Sequence, residues 1–151
     1  DAIIAFMKKR HGLLIGERTA EDVKIRLGSA CEGEPVRDME VRGRCLREGR
    51  PRIVEVTEPE VRDALGEPLR AIVGAVRGAL ESVPPEIAAD IYEQGLVLTG
   101  GGAMLTRLDE RLRQETGVPV RVADDPLMSV VQGAGRMLGD VALLRRVACA
   151  A

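Results

Sequence analysis

The chain has 151 residues, of which 45% are hydrophobic and 30% charged, and its formal net charge is −2. This length suits one domain or two small subdomains, and the composition is that of a folded globular protein rather than a disordered or fibrous one. The balanced charge, with Phe6 and Tyr92 as the only aromatic residues, argues against nucleic acid as a partner, because such proteins present basic surfaces or base-stacking platforms.

The cysteines and the single histidine further limit the kinds of site that this protein can contain. Cys31, Cys45 and Cys149 are widely spaced and form no CxxC pair, which indicates free thiols in a reducing compartment. With His11 alone, a histidine-based zinc site or a serine triad lacks its residues. The sequence shows no signal peptide and no apolar run of transmembrane length.

The first third of the chain predicts two helices and a β-hairpin. Apolar residues followed by three cations and Gly12 indicate a helix over 2–10. A second helix is predicted over 19–27, with Thr19 as its N-terminal cap. Between 36 and 57, two runs alternate apolar and charged residues, which is typical of a hairpin with a long loop.

The longest predicted helix follows the hairpin. Thr57 and Glu60 have the spacing of a capping box. An apolar stripe then continues in steps of three and four through Val61, Leu65, Leu69, Ile72, Val76 and Leu80. Pro68 lies inside this stripe and predicts a kink, and Pro84 and Pro85 are expected to end the helix.

The remainder alternates strands and helices. The expected order is a strand at 96–99, a helix carrying the apolar residues of 104–112, a strand at 118–123, a helix at 127–138 and a short helix near 141–147. Strand–helix–strand order implies a parallel pair of strands with a right-handed crossover.

The segment Thr-Gly-Gly-Gly-Ala at 99–103 is the sharpest local feature. Ligands of α/β sheets bind beyond the carboxyl ends of strands, glycines allow close approach to the backbone, and a helix start offers free N–H groups. A tight turn is the simpler interpretation of a lone triple glycine. Leu105 stands where a dinucleotide motif needs its third glycine, and no P-loop motif occurs, so neither site is supported.

Two pairs of charged residues are further candidates. Glu21 and Lys24 share one predicted helix face, where a carboxylate can bind ribose hydroxyls and a lysine stem can cover a purine. Taken alone, an exposed helical ion pair is the better explanation of these two residues. Asp124 and Asp125 can be considered as metal ligands, but capping of the helix after Pro126 is the better explanation.

Charged residues also concentrate on the hairpin and its loop. They are Arg42, Arg44, Arg47, Glu48, Arg50 and Arg52. The simplest interpretation is a solvated tip, although such a tip can serve as a subunit contact.

Four blocks of this sequence resemble the MreB/Mbl family of rod-shape-determining bacterial actin homologues. They are 1–17, 19–30, 40–44 and 95–103, with shorter matches at 67–69, 84–86, 115–119 and 125–126. The match keeps the family's order up to about Leu138, and the segment from Gly139 is the least similar.

The resemblance implies an α/β fold that is part of an actin-like (RNase H-like) ATPase domain, with an inserted α+β subdomain that carries the β-hairpin. Residues 1–18 and 84–138 would form the lower subdomain, residues 19–83 the upper, inserted one, and residues 139–151 a C-terminal helix. Residues 131–135 resemble the second connecting helix between the halves of the family's fold.

The resemblance also implies a nucleotide site, with ATP as the cofactor and Mg²⁺ in the complete family protein. By their match to the family, its residues here are Glu21, Lys24, Gly100, Gly101, Gly102 and Ala103. The helix that carries the first two supplies ribose and adenine contacts, and the glycine-rich turn borders the adenosine. The family's two phosphate loops and its catalytic acid do not occur in this sequence, so we expect no catalytic residue, no hydrolysis by this chain alone and weak nucleotide binding at most.

The implied function is that of a cell shape-determining cytoskeletal protein, an ATP-binding filament subunit that guides cell-wall synthesis. Implied partners are further MreB subunits and the membrane protein RodZ, beneath the inner membrane in the bacterial cytoplasm, without membrane insertion by this chain. A sugar kinase or an Hsp70-type ATPase of the same superfamily, or a truncated paralogue that only binds partners, are the alternatives. The predicted two-stranded sheet also has open edges, so the isolated chain is expected to self-associate or to be marginally stable.

Overall fold

A computed structural model of the chain describes residues 1–140 together with residues 142 and 145. Within these residues the α-helices are α1 (Ala2–Phe6), α2 (Glu17–Leu27), α3 (Glu58–Ser82), α4 (Pro85–Gln94), α5 (Leu108–Thr116) and α6 (Ser129–Gly139). The strands are β1 (Leu13–Leu14), β2 (Asp38–Cys45), β3 (Pro51–Thr57), β4 (Leu96–Leu98) and β5 (Val120–Val122). A π-helical turn spans Met7–His11 and a 3-10 turn spans Gly101–Met104.

The strands form two separate sheets. One is antiparallel with the order β1-β2-β3, and the other is the parallel pair β4-β5. The predicted hairpin and the predicted parallel pair are therefore confirmed. The two-residue strand β1 was not predicted, because alternation cannot be recognised in Leu13 and Leu14 alone.

An aliphatic core joins the antiparallel sheet to α1, α2 and α3. Val41, Val54 and Val56 point from the hairpin into this core and are almost completely buried. Leu112 and Val120 extend the same cluster towards α5 and β5. A core without tryptophan or tyrosine agrees with the composition.

The first helix ends as its sequence predicts. The α-helical part of Ala2–Phe6 widens into the π-helical turn, and Gly12 follows with φ of 60°. This left-handed conformation suits glycine because no Cβ is present. Lys8, Lys9 and Arg10 lie in the last turn, where the helix dipole favours cations.

The predicted start of α2 is wrong by two residues. Gly16 precedes the helix, Glu17 is its first residue, and the N–H of Ala20 donates to the Gly16 carbonyl at 3.0 Å. Thr19 therefore lies inside the first turn and makes no capping hydrogen bond. Glu17 supplies the negative charge that the helix start favours.

The capping box of α3 is confirmed, since the N–H of Thr57 donates to Glu60 Oε2 at 3.0 Å. The helix continues without a break through Pro68 to Ser82. Helix α4 was not predicted, because Pro84 and Pro85 were interpreted only as a stop. Proline suits the first position of a helix equally well, since the N–H there needs no partner within the helix.

The C-terminal part keeps the predicted strand–helix–strand–helix order, with one difference. The helix expected directly after the glycines is divided into the 3-10 turn and α5, and Arg107 between them has φ of 62°. Helices α4 and α6 contain no buried residue. The short helix expected near 141–147 lies, apart from residues 142 and 145, outside the described residues.

Candidate functional site

Glu21 and Lys24 lie on one face of α2, as predicted. Lys24 Nζ is 2.7 Å from Glu21 Oε1 and donates a hydrogen bond to Oε2 at 2.8 Å. The side chains are 56% and 40% exposed, and an ion pair this exposed contributes little to stability, at most about 1 kcal/mol. Both groups can therefore exchange their mutual contact for a ligand at small cost.

A cleft of about 390 Å³ opens beside this pair, between α1, α2 and α3. The carboxylates of Asp1, Glu17 and Glu21 line it together with Lys24, and its apolar wall includes Leu65. Three carboxylates and one ammonium repel a polyphosphate but can accept hydrogen bonds from hydroxyl groups. The chemistry of this cleft suits the sugar side of a ligand rather than its phosphates.

Asp1 and Glu17 were not among the predicted site residues. Glu17 stands four residues before Glu21, so both belong to one helix face, and this spacing was available in the sequence. Asp1 enters the cleft only because α1 packs against α2, which no local pattern reveals.

The glycine-rich turn follows β4, beyond the carboxyl end of the strand. Gly100 has φ of 82°, and its N–H donates to the Pro126 carbonyl at 2.6 Å. Ala103 is buried, and its N–H donates to the Gly100 carbonyl at 3.1 Å. Gly101 and Gly102 are exposed and begin the 3-10 turn, so their N–H groups are the ones that a ligand can reach.

Pro126 and Ser129, just before and at the start of α6, hold this turn in place. Thr99 Oγ1 donates to the Pro126 carbonyl at 3.0 Å and makes a hydrogen bond with Ser129 Oγ. Asp125 Oδ1 accepts from the N–H of Met128 at 3.2 Å, in the turn that precedes the helix, whereas α6 itself begins after Met128 and has no side-chain cap. The predicted capping of this helix by Asp124 or Asp125 is therefore wrong, because the chain first makes a turn at 126–128 and the helix starts only at Ser129. Within the described residues no cluster of acids, histidines or cysteines could hold a metal ion.

The two predicted parts of the site lie on adjacent elements. The N–H of Ala30 donates to the Thr106 carbonyl at 2.8 Å, beside a parallel bridge between Ser29 and Thr106. A Cβ on Gly28 would lie 2.3 Å from the Lys24 carbonyl oxygen and 2.8 Å from Leu105 Cδ1.

Gly100, Gly101, Gly102 and Ala103 do not line the cleft beside Glu21. The contact between Gly28 and Leu105 is what brings the glycine-rich segment close to α2. Neither residue was predicted as part of the site. In the sequence, Gly28 only follows the last residue of the predicted helix, and Leu105 only excludes a dinucleotide motif.

His11 has a structural environment at the end of the first helix. Its ring packs edge-on against Phe6 with ring centroids 5.9 Å apart. Nε2 is buried and lies 3.2 Å from Glu60 Oε1, close enough for a charge interaction but without the geometry of a hydrogen bond. Burial alone would raise the pKa of Glu60, but hydrogen bonds from Thr57 and the charges of His11 and Arg10 together lower it.

Comparison with protein families adds a strong match. The model of the family described as MreB/Mbl protein matches residues 1–146. The cell shape-determining protein MreB of Escherichia coli (strain K12) is 54% identical over 138 residues, which are 91% of this chain and 40% of that protein. The cell shape-determining protein Mbl of Bacillus subtilis (strain 168) is 42% identical over 92% of this chain and 42% of its own length.

Solved structures give the same result for the fold. MreB5 of Spiroplasma citri bound to ADP superposes with a TM-score of 0.88 at 31% identity, over 91% of this chain and 42% of that one. The MamK double helical filament has a TM-score of 0.73 at 24% identity, over 92% of this chain and 42% of that one, and shows the fold alone. The chain spans about 40% of the length of the curated relatives it matches. Among the described residues, no helix has the length and apolarity needed to cross a membrane.

Proposed function

Because the chain belongs to the MreB/Mbl family and has its actin-like fold, we propose that it is the adenosine-facing part of a cell shape-determining filament protein. The observation that carries this proposal is the 54% identity to MreB of Escherichia coli over 91% of the chain. The family consists of actin-like ATPases, so the whole protein would bind ATP and polymerise.

The adenosine would lie against α2 and the glycine-rich turn. Glu21 would accept hydrogen bonds from the ribose hydroxyls, and the aliphatic stem of Lys24 would cover one face of the adenine. Gly100, Gly101, Gly102 and Ala103 would border the adenosine from the other side. Support comes from the cleft, whose carboxylates suit hydroxyl groups, and from the ADP and AMPPNP bound to MreB5 of Spiroplasma citri.

The phosphates and their Mg²⁺ would be held outside this chain. Its sequence contains neither of the family's phosphate-loop motifs, and the three carboxylates of the cleft repel phosphate. Phosphoryl transfer depends on positioned phosphates, metal and water. We therefore propose that the chain by itself binds nucleotide weakly and does not hydrolyse it.

The remaining proposals follow from the family. The chain would act in a filament of like subunits beneath the inner membrane of the bacterial cytoplasm, and a RodZ-like membrane protein would dock on its lower part. Residues 19–83 would be the upper, inserted subdomain, between lower-subdomain segments at 1–18 and 84–138, with a C-terminal helix over 139–151.

The decisive experiment is a graft. This chain replaces the matching segment of MreB in Escherichia coli cells depleted of their own copy, and cell shape is scored by microscopy. We expect the graft to restore rod-shaped cells. Round cells that contain the grafted protein at normal abundance would contradict the proposal.

Site variants of the graft test the nucleotide contacts. Glu21→Ala and Lys24→Ala are expected to give round cells. The matched control is Glu110→Ala, which removes the acidic member of another i,i+3 ion pair, the one with Arg107 at the start of α5. Rod-shaped cells with both site variants would exclude these residues from the nucleotide site.

A further inference from the structure

A second cleft, of about 780 Å³, lies between α3, α5 and the segment that follows α2. We call it the α3–α5 cleft. It shares no lining residue with the cleft beside Glu21, and its volume is within the range of roughly 300–1,000 Å³ that is usual for sites of small ligands. Most of its lining is polar, and the charged residues among it are Glu32, Arg62, Asp63, Arg70, Glu110 and Arg111.

Helix α3 leaves an open space between two of these guanidinium groups. Arg62, Gly66 and Arg70 follow one another at intervals of four residues, so they lie on one side of the helix. The Cα atoms of Arg62 and Arg70 are about 12 Å apart, since each residue of a helix rises by 1.5 Å. A Cβ on Gly66 would meet nothing closer than Arg70 Nη1, at 3.5 Å. A longer side chain at Gly66 would fill this space.

The arginines of the cleft keep donors for an anionic ligand. Arg70 is exposed and forms no ion pair or hydrogen bond with other described residues. Arg111 Nη2 lies 2.9 Å from Glu115 Oε1, but Nε of the same side chain is buried without a hydrogen-bond partner in the described part of the chain. Arg62 reaches Glu32 only at 3.4 Å, and that carboxylate is 91% exposed. Each guanidinium group has five N–H donors, so none of the three is saturated.

One carboxylate of the cleft also has no partner within the described residues. Asp63 is exposed and forms no ion pair there, whereas Glu110 lies 3.9 Å from Arg107 Nε and Glu32 is paired with Arg62. A ligand with anionic groups alone would be repelled by Asp63. A ligand that also carries an ammonium group would place a cation beside this carboxylate.

We propose that the α3–α5 cleft binds a short acidic peptide, with two carboxylates held by arginines and the ammonium group held by Asp63. Arg70 binds one carboxylate and Arg111 the other, because guanidinium groups bind carboxylates through paired hydrogen bonds. The space above Gly66 accommodates the peptide between them. Such a ligand differs from a nucleotide in chemistry and in position, so this site is independent of the proposed nucleotide site.

A peptide in this cleft contacts two helices at once. Arg70 belongs to α3 and Arg111 to α5. The same two helices are already joined by Arg77, whose Nη2 donates to Glu115 Oε2 at 2.7 Å. A ligand that binds the folded chain and not the unfolded one raises the unfolding temperature, and a ligand held by both helices needs their packing intact.

The probe for the test is the dipeptide alanyl-glutamate, which has two carboxylates and one ammonium group. Isothermal titration calorimetry measures its Kd for the 151-residue chain. Alanyl-glutamine replaces one carboxylate with an amide of the same shape, and N-acetyl-alanyl-glutamate removes the ammonium charge. We expect each change to weaken binding about tenfold or more, because each removes a charge-assisted contact.

Variants of the chain separate binding from folding. Gly66→Gln fills the space between the two guanidinium groups and should abolish binding without lowering the unfolding temperature, since glycine is unfavourable inside a helix. Gly74→Gln on the same helix is the matched control, because a Cβ there would have no neighbour within 4 Å. Arg70→Gln should weaken binding about tenfold, whereas Arg121→Gln, at an exposed arginine of β5, should leave the Kd unchanged.

Cys31 reports where the peptide binds, since it lines the cleft and is partly exposed. Burial and the charge of Glu110 raise the pKa of its thiol, so alkylation by iodoacetamide is followed at mildly alkaline pH by mass spectrometry of the Cys31 peptide. Alanyl-glutamate should slow this alkylation in the unchanged chain and leave it unaffected in the Gly66→Gln variant.

Three results would overturn the proposal. The first is the absence of binding at millimolar dipeptide. The second is a Kd that stays the same with alanyl-glutamine or after Gly66→Gln. The third is equal protection of Cys31 by succinate, a dicarboxylate without an ammonium group, because Asp63 would then have no part in binding.

Discussion

Arg37 and Glu58 are joined by two hydrogen bonds that run in opposite directions. Arg37 Nε donates to Glu58 Oε2 at 2.9 Å, and the N–H of Glu58 donates to the Arg37 carbonyl at 2.8 Å. Glu58 is only 4% exposed, and among the described residues no other charged side chain is buried. The pair fixes the segment before β2 to the first residue of α3.

Arg37→Met is expected to lower the free energy of unfolding by about 1–3 kcal/mol, since a buried carboxylate then loses its partner. Urea denaturation measures the change. Adding Glu58→Gln should recover part of the lost stability, because the double variant no longer buries a carboxylate that lacks a cationic partner. Arg121→Met, at an exposed arginine without an ion pair in the described part of the chain, is the control. An Arg37 variant as stable as this control would contradict the prediction.

Gly28→Ala is expected to destabilise the fold by about 1–3 kcal/mol, a typical cost of overpacking. The new Cβ would meet the Lys24 carbonyl oxygen at 2.3 Å and Leu105 at 2.8 Å. Gly74→Ala in the middle of α3 is the matched control, because its Cβ would have no neighbour within 4 Å. That control should stabilise the chain by roughly 0.5–1 kcal/mol, as alanine suits a helix interior better than glycine. Equal effects of the two substitutions on thermal unfolding would exclude the close approach.

Thr57→Ala removes one half of the capping box of α3. The expected loss is about 1 kcal/mol, as for other N-terminal caps. Thr57→Ser keeps the hydroxyl group and should retain most of the stability. If serine and alanine variants unfold at the same urea concentration, the hydroxyl group of Thr57 does not cap the helix.

The titration of Glu60 is expected to make the unfolding free energy depend on pH. Its pKa in the folded chain is lower than the ordinary value of 4.5, so the folded state binds this proton less tightly than the unfolded state. The stabilisation is fully present above the ordinary value and is lost as the pH falls through the lower, folded value. Glu60→Gln should therefore flatten the decline of the unfolding free energy below about pH 4.5. A decline as steep as that of the unchanged chain would show that other carboxylates cause it.

The exposed apolar residues of α6 are expected to make the isolated chain associate. Val130 is 68% exposed and Val131 is 61% exposed, and exposed apolar side chains that lie together promote association. Val131→Lys should reduce light scattering of concentrated solutions and leave the unfolding midpoint nearly unchanged. Gln132→Lys adds the same charge beside it without removing an apolar group and should have a smaller effect. A monodisperse unchanged chain at high concentration would refute the prediction.

Much of the fold could be predicted from the sequence because its signals are local. The hairpin follows from alternating residues, the start of α3 from Thr57 and Glu60, and the end of α1 from Gly12, since each involves neighbours a few residues apart. The four family-like blocks likewise indicate the MreB/Mbl family from the sequence alone, and the match over residues 1–146 bears this out.

Only the tertiary structure decided which distant groups meet. Asp1 faces the same cleft as Glu21 because two helices pack side by side, and Gly28 meets Leu105 across a long stretch of chain. Thr19 had the right residue type for a cap, but the helix begins two residues earlier at Glu17. Sequence patterns record what each segment prefers by itself. The positions of a cleft, a buried ion pair and a close glycine contact depend on how those segments pack. Burial of apolar surface stabilises contacts between distant segments, and the local preferences of each segment do not specify those contacts.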